Sequence, residues 1–159
     1  MRKSIPVLVL GLVLCGVAVA EGGDREYFGG ERLDGTPLPF SNAVRVGDTL
    51  YVAGHLGLDP KTQTPPADAE LEARLVMDGI RKSVESAGFT MDDLVSVTVF
   101  CPDLSQYDTF NRVYSSYFKG KFPARAFVGS GPLVRGARFE VLGVAVRTPA
   151  RAAGSAAAH

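Results

Sequence analysis

The last apolar run of the chain, Phe139 to Val146, is hydrophobic at both parities. Side chains along a strand point alternately to the two faces of a sheet. Val141, Gly143 and Ala145 therefore share one face, and Leu142, Val144 and Val146 the other. Such a strand needs cover on both sides. Elsewhere the sequence offers only two amphipathic helices, which suffice for one side. A sheet that is apolar on both faces, with helices for one, implies self-association.

The remaining elements follow from periodicity. Ala43–Val46 and Thr49–Ala53 read as two short strands around a Gly47-Asp48 hairpin turn. Leu56-Gly57-Leu58 reads as a third extended piece, closed by the turn Asp59-Pro60-Lys61-Thr62. Asp68 can cap a helix that carries Leu71, Leu75, Val76, Ile80 and Val84 on one face and stops at Gly88. Leu94–Phe100 alternates Val with Ser and Thr, as a strand does. Ser105 or Asp103 can cap a second helix with a core stripe of Tyr107, Phe110, Tyr114 and Phe118. Ala124–Gly129 and Phe139–Val146 are the last strands. The predicted architecture is an α/β fold of the α+β two-layer sandwich kind: a six-stranded mixed sheet with two helices on one face.

The chain of 159 residues suits one domain, and a hydrophobic fraction of 46% is enough for its core. Arg2 and Lys3 precede an uncharged stretch from Ser4 to Ala20 that closes in Ala18-Val19-Ala20. That layout predicts a secretory signal over residues 1–20, cleaved after Ala20, and an exported protein, periplasmic or secreted, with no stable membrane insertion after cleavage. The alternatives are an uncleaved anchor or a lipoprotein at Cys15, although Leu14 stands where a small residue belongs. Residues 21–36 read as a flexible N-terminal arm, within a Gly-, Pro- and charge-rich stretch reaching residue 39, and residues 148–159 as a disordered tail. Loss of Arg2 and Lys3 leaves 15 basic against 17 acidic side chains. The basic residues are scattered, so no nucleic-acid partner is expected. Cys101 follows an apolar run and reads as a buried small residue. Two His and the scattered Cys give no metal site.

Two charges stand inside otherwise apolar strands: Arg125 in Pro-Ala-Arg-Ala-Phe-Val, and Glu140 in Phe-Glu-Val-Leu-Gly-Val-Ala-Val. Burying a charge costs several kcal/mol unless it is paired or meets a ligand. An arginine beside a carboxylate can hold an anionic substrate and activate a water. The other reading is that the two pair with each other or point to solvent. Serine-elbow, metalloprotease and phosphate-loop motifs are absent, and Gly129-Ser130-Gly131 is a loop signal.

The ordered segments are more specific than any one of them. Pro39-Phe40-Ser41-Asn42-Ala43-Val44 and Leu50-Tyr51-Val52-Ala53-Gly54-His55-Leu56-Gly57-Leu58-Asp59-Pro60 come first. Asp92–Phe100, Asp108–Tyr114, Phe122-Pro123-Ala124-Arg125, Glu140 and Ala145-Val146-Arg147 follow. Together, over residues 37–147, they resemble the RidA/YjgF family. The resemblance implies a chorismate-mutase-like homotrimer with sites in the clefts between subunits. It implies hydrolytic deamination of reactive 2-imino or enamino acids to 2-keto acids and ammonia, with no cofactor; some relatives carry an endoribonuclease label. By position, Arg125 matches the family's carboxylate-binding arginine, Glu140 the acidic residue that works on the attacking water, Asn111 a cleft-lining asparagine, and Gly54 a strand end whose backbone faces the ligand.

Four positions depart from the family's usual pattern. Phe40 stands for a tyrosine, Ala53 for a serine or threonine, His55 for a glutamine and Phe127 for a cysteine. These four complete the expected substrate-binding set. His55 is read either as a structural hydrogen-bonder or as a proton carrier that replaces the lost hydroxyls. The competing class is a non-catalytic trimer of the same fold that binds a small carboxylate or an aromatic acid, favoured by Phe40 and Phe127.

Overall fold

Six segments of the chain pair into one mixed sheet in a computed structural model that describes residues 24–31 and 35–148. The predicted leader over residues 1–20, and all but the first residue of the predicted tail, lie outside the described residues. The elements are β1 (Arg25–Phe28), β2 (Ala43–Val46), β3 (Thr49–Leu56), α1 (Ala69–Ser86), β4 (Leu94–Cys101), α2 (Tyr107–Ser115), β5 (Ala124–Gly129) and β6 (Glu140–Val146). Across the sheet the order is β1-β2-β3-β6-β4-β5. All neighbours are antiparallel except β4 and β5, which run parallel because α2 carries the chain over between them.

The strand count agrees with the sequence reading, but one member differs. Leu56 is simply the end of β3, so Leu56-Gly57-Leu58 is not a separate strand. The sixth strand comes instead from the stretch read as a flexible arm. Arg25–Phe28 pairs with β2, and Glu26 and Arg45 form an ion pair across that ladder. Only Phe28 of this strand packs against the core. With three exposed residues in four, β1 has no apolar alternation to betray it.

Helix α1 begins where Asp68 accepts a hydrogen bond from the Glu70 N–H at 2.8 Å. It ends through Gly88, whose φ of +75° is left-handed, while the Phe89 N–H closes back on the Val84 carbonyl at 3.0 Å. Val76, Met77, Ile80 and Val84 of α1 and Phe110 and Val113 of α2 bury against Leu50, Val97, Val99 and Val141 of the sheet and Phe139 just before β6. Both helices thus cover one face. The other face presents Tyr27, Val44, Tyr51, Leu142, Val144 and Val128, several of them exposed, with no element of the described residues over them. Among the described residues, no helix is long and apolar enough to cross a membrane.

One buried charge ties the helix layer to the start of β6. Glu72 of α1 is 0% exposed, and its carboxylate accepts from the Arg138 N–H at 2.5 Å, the Phe139 N–H at 3.2 Å and the Arg138 guanidinium at 2.5 Å. Arg138 in turn donates to the carbonyls of Pro66 and Ala67. Every partner that a buried carboxylate needs is therefore present. Glu72→Ala should lower the unfolding free energy by about 3–5 kcal/mol, the range for removing one member of a buried pair. Glu72→Gln keeps an acceptor oxygen and should lose less. Urea unfolding at fixed protein concentration measures both, and an unchanged midpoint for Glu72→Ala would contradict the clamp.

Candidate functional site

Register assigns the two lone charges to opposite sides of the sheet. On β5, Arg125 pairs with Val97 and Phe127 with Val99. Val97 and Val99 are buried beneath the helices, so Arg125 and Phe127 also face the helix side. On β6, Glu140 pairs with Leu56 and Phe100, while its neighbours Phe139 and Val141 are buried under the helices. Glu140 therefore faces the uncovered side. The two strands are separated by β4, roughly 10 Å at the usual strand spacing. Arg125 and Glu140 do not pair with each other, and among the described residues neither forms an ion pair.

Arg125 sits in a built cradle. Its Nη2 donates to Oδ1 of Asn111 at 2.7 Å. Its guanidinium carbon lies 4.5 Å from the Tyr114 ring centroid and 5.8 Å from those of Tyr107 and Phe127. Tyr107, Asn111 and Tyr114 stand at i, i+4 and i+7 of α2, which places all three on one helix face. Each cation–ring contact is worth about 0.5–2 kcal/mol. The Tyr114 hydroxyl is buried and has no hydrogen-bond partner among the described residues. Burial pushes this phenol up to about 12, against the pull of the Arg125 charge. The sequence reading placed Tyr107 and Tyr114 in the core stripe and missed their contact with Arg125. Their spacing from Asn111 was the available signal.

Glu140 is placed by the strand beside it. A Cβ on Gly54 would overlap the Glu140 carboxylate, so the carboxylate lies over bare backbone there. Gly54 and Ala53 fall in the register shift between Val52 and His55, which offers space for that approach. The Ala53 N–H donates to the Asn42 carbonyl at 2.9 Å. Phe40 is exposed in the segment joining β1 to β2, at the far edge of the sheet from β5. The predicted residues therefore form two groups within one chain: Arg125, Asn111 and Phe127 on the helix side of β5, and Glu140 with Gly54 on the open face.

His55 belongs to neither group. Its Nδ1 lies 2.8 Å from the Ala53 carbonyl and its Nε2 2.7 Å from the Ser83 hydroxyl of α1. A carbonyl can only accept, so Nδ1 carries the proton and Nε2 accepts from Ser83. With Nδ1 held by a carbonyl of its own strand and Nε2 by α1, His55 is a structural bridge, and its reading as a ligand-facing donor is corrected. Cys101 is buried and donates its thiol to the Asp103 carbonyl at 3.1 Å. Burial raises its pKa. Among the described residues no three side chains gather as metal ligands. A hollow of about 320 Å³ opens beside Pro102, Gln106, Leu133 and Arg138, and none of the predicted site residues lines it.

A family model described as Endoribonuclease L-PSP matches residues 35–147. The chain belongs to that family, the RidA/YjgF family. It is 39% identical over 104 residues to a RutC family protein of Sulfurisphaera tokodaii, covering 65% of this chain and 83% of that protein. It is 36% identical over 112 residues to the 2-iminobutanoate/2-iminopropanoate deaminase of Mus musculus, covering 70% of this chain and 83% of the mouse protein. The fold matches the crystal structure of E. coli TdcF with bound serine at a TM-score of 0.66 and 30% identity, over 69% of this chain and 89% of the other.

The His55 bridge carries a pH signature. Burial lowers its pKa below the ordinary 6.5, so the fold favours the neutral ring. Its contribution is complete above about pH 6.5 and is lost as pH falls through the depressed folded value. His55→Gln should therefore flatten the fall in stability between pH 7 and pH 5. Chemical unfolding at a series of pH values tests this, and parallel curves for the two proteins would refute it.

Proposed function

We propose that this chain hydrolyses reactive 2-imino acids to 2-keto acids and ammonia, in clefts between the subunits of a homotrimer. The observation that carries the reading is the division of the charged pair. Arg125 and Glu140 lie on opposite sides of one sheet, each without an ionic partner among the described residues. A second copy seated against the open face could bring the Glu140 of one subunit toward the Arg125 of another, and would cover the exposed tyrosines and valines. The mouse relative's name supports the activity, and the serine bound to TdcF supports a site sized for a small carboxylate.

The chemistry asks little of the protein. A protonated imine carbon is already electrophilic, so positioning, a water and proton transfer suffice. Arg125 would hold the substrate carboxylate with the donors that Asn111 leaves free, at about 1.5–3 kcal/mol per charged hydrogen bond. The Asn111 contact and the aromatic rings orient the fork beforehand. Glu140 would accept a proton from water as the water oxygen bonds to the imine carbon. The resulting carbinolamine takes that proton on nitrogen. Its oxygen lone pair then expels ammonia, and the hydroxyl proton leaves with it, giving the 2-keto acid and ammonium.

A non-catalytic carboxylate binder has one observation in its favour: Phe40, Ala53 and Phe127 bring no polar side-chain group to the set. Freshly generated imines, assayed beside a thermal-shift series of carboxylates, separate the two. Turnover supports the hydrolase, and stabilisation without turnover supports the binder. Arg125→Ala should reduce imine hydrolysis by at least about a hundredfold, the loss of one charged anchor, while sedimentation shows the assembly unchanged. Full activity in that variant would exclude the assignment. Gly54→Ala should also depress turnover, because the added methyl displaces the Glu140 carboxylate.

A further inference from the structure

We infer that the strip of β5 beyond Arg125 selects substrates with an aromatic side chain over those with a methyl or ethyl group. This rests on the reading of Arg125 as the carboxylate anchor. Side chains at alternate positions of a strand share a face, so Arg125, Phe127 and Gly129 lie in one row on the helix side. Tyr107 stands over this row and meets Phe127 edge to face, with centroids 5.0 Å apart at 85°. Leu104 covers its far end, where a Cβ on Gly129 would lie 3.4 Å from Leu104 Cδ1. Gly129 carries no side chain, so Leu104 supplies the apolar surface at that end.

The row remains open to a ligand from this chain's side. Tyr107 is 44% exposed and Leu104 55%, while Phe127 is half-buried. Leu104, Tyr107, Phe127 and Gly129 carry no charge, so the strip offers an apolar side chain no competing ion. A carboxylate on the guanidinium starts its side chain within reach of two rings whose centroids lie 5.8 Å from Cζ. A third ring can extend the edge-to-face pair, in the geometry that aromatic side chains prefer. A methyl group would leave Leu104 and most of Tyr107 in water. The same strip would receive the 2-keto acid product, which keeps both the carboxylate and the side chain.

Calorimetric titration of the full chain with pyruvate, 2-oxobutanoate and phenylpyruvate tests this without requiring turnover. Phenylpyruvate should bind at least about tenfold tighter than pyruvate, the gain from burying an aromatic ring on an apolar strip. Tyr107→Ser and Leu104→Ser should each reduce that ratio; Leu104 is exposed enough for its variant to fold if the other does not. Equal affinity for pyruvate and phenylpyruvate, or a ratio unmoved by either substitution, would overturn the inference and leave the hydrolase reading standing. If no keto acid binds, or if Arg125→Ala leaves binding intact, the anchor itself is wrong and both readings fall.

Discussion

Side chains along β6 must alternate between two faces, and β6 is held between β3 and β4 in the middle of the sheet. Burial of Phe139, Val141 and Ala145 under the helices obliges Glu140, Leu142 and Val144 to point the other way. On β5 the same rule sends Arg125 and Phe127 toward α2, because their partners Val97 and Val99 belong to the core. A slip of one residue in either strand would exchange core for surface along its length. The hydrophobic pattern thus fixes the direction of both charges. The separation of a guanidinium from a carboxylate in one chain is a product of packing rather than of their mutual electrostatics.

Most of the fold was legible because its central elements are strongly periodic. The two helices, β4, β5 and β6 fall where apolar spacing and the Asp68 and Gly88 signals put them. The strand β1 was hidden because three of its four residues face water, so its pairing with β2 leaves almost no mark on local composition. The end of β3 was misread for a related reason: Gly54 and Gly57 interrupt the apolar pattern, and glycine in a strand resembles a break. At the site, the identity of Arg125 and Glu140 as unusual strand charges was legible, but their facing was not considered. His55 needed three-dimensional information, since Ser83 lies 28 residues away. The aromatic cradle looked like ordinary core, and Tyr114 is in fact both core residue and support for Arg125.

The start of β6 shows how such a charge can be held in register. Glu72 engages the backbone of Arg138 and Phe139 directly, two residues and one residue before Glu140. A carboxylate buried in α1 therefore anchors the strand that delivers another carboxylate to the opposite face. The ion pair with Arg138 neutralises the first while leaving the second available. Replacing such a pair by apolar groups often costs little stability in itself. Here the backbone hydrogen bonds would be lost as well, so the clamp matters more for alignment than for charge.

The thiol of Cys101 is enclosed at the end of β4, already spends its proton on a neighbouring carbonyl, and is kept from ionising by the apolar layer around it. Sulfur chemistry proceeds through the thiolate. Oxidants thus find no ready nucleophile at this position, and among the described residues no disulfide is there to be gained or lost; packing and hydrogen bonds hold the domain together.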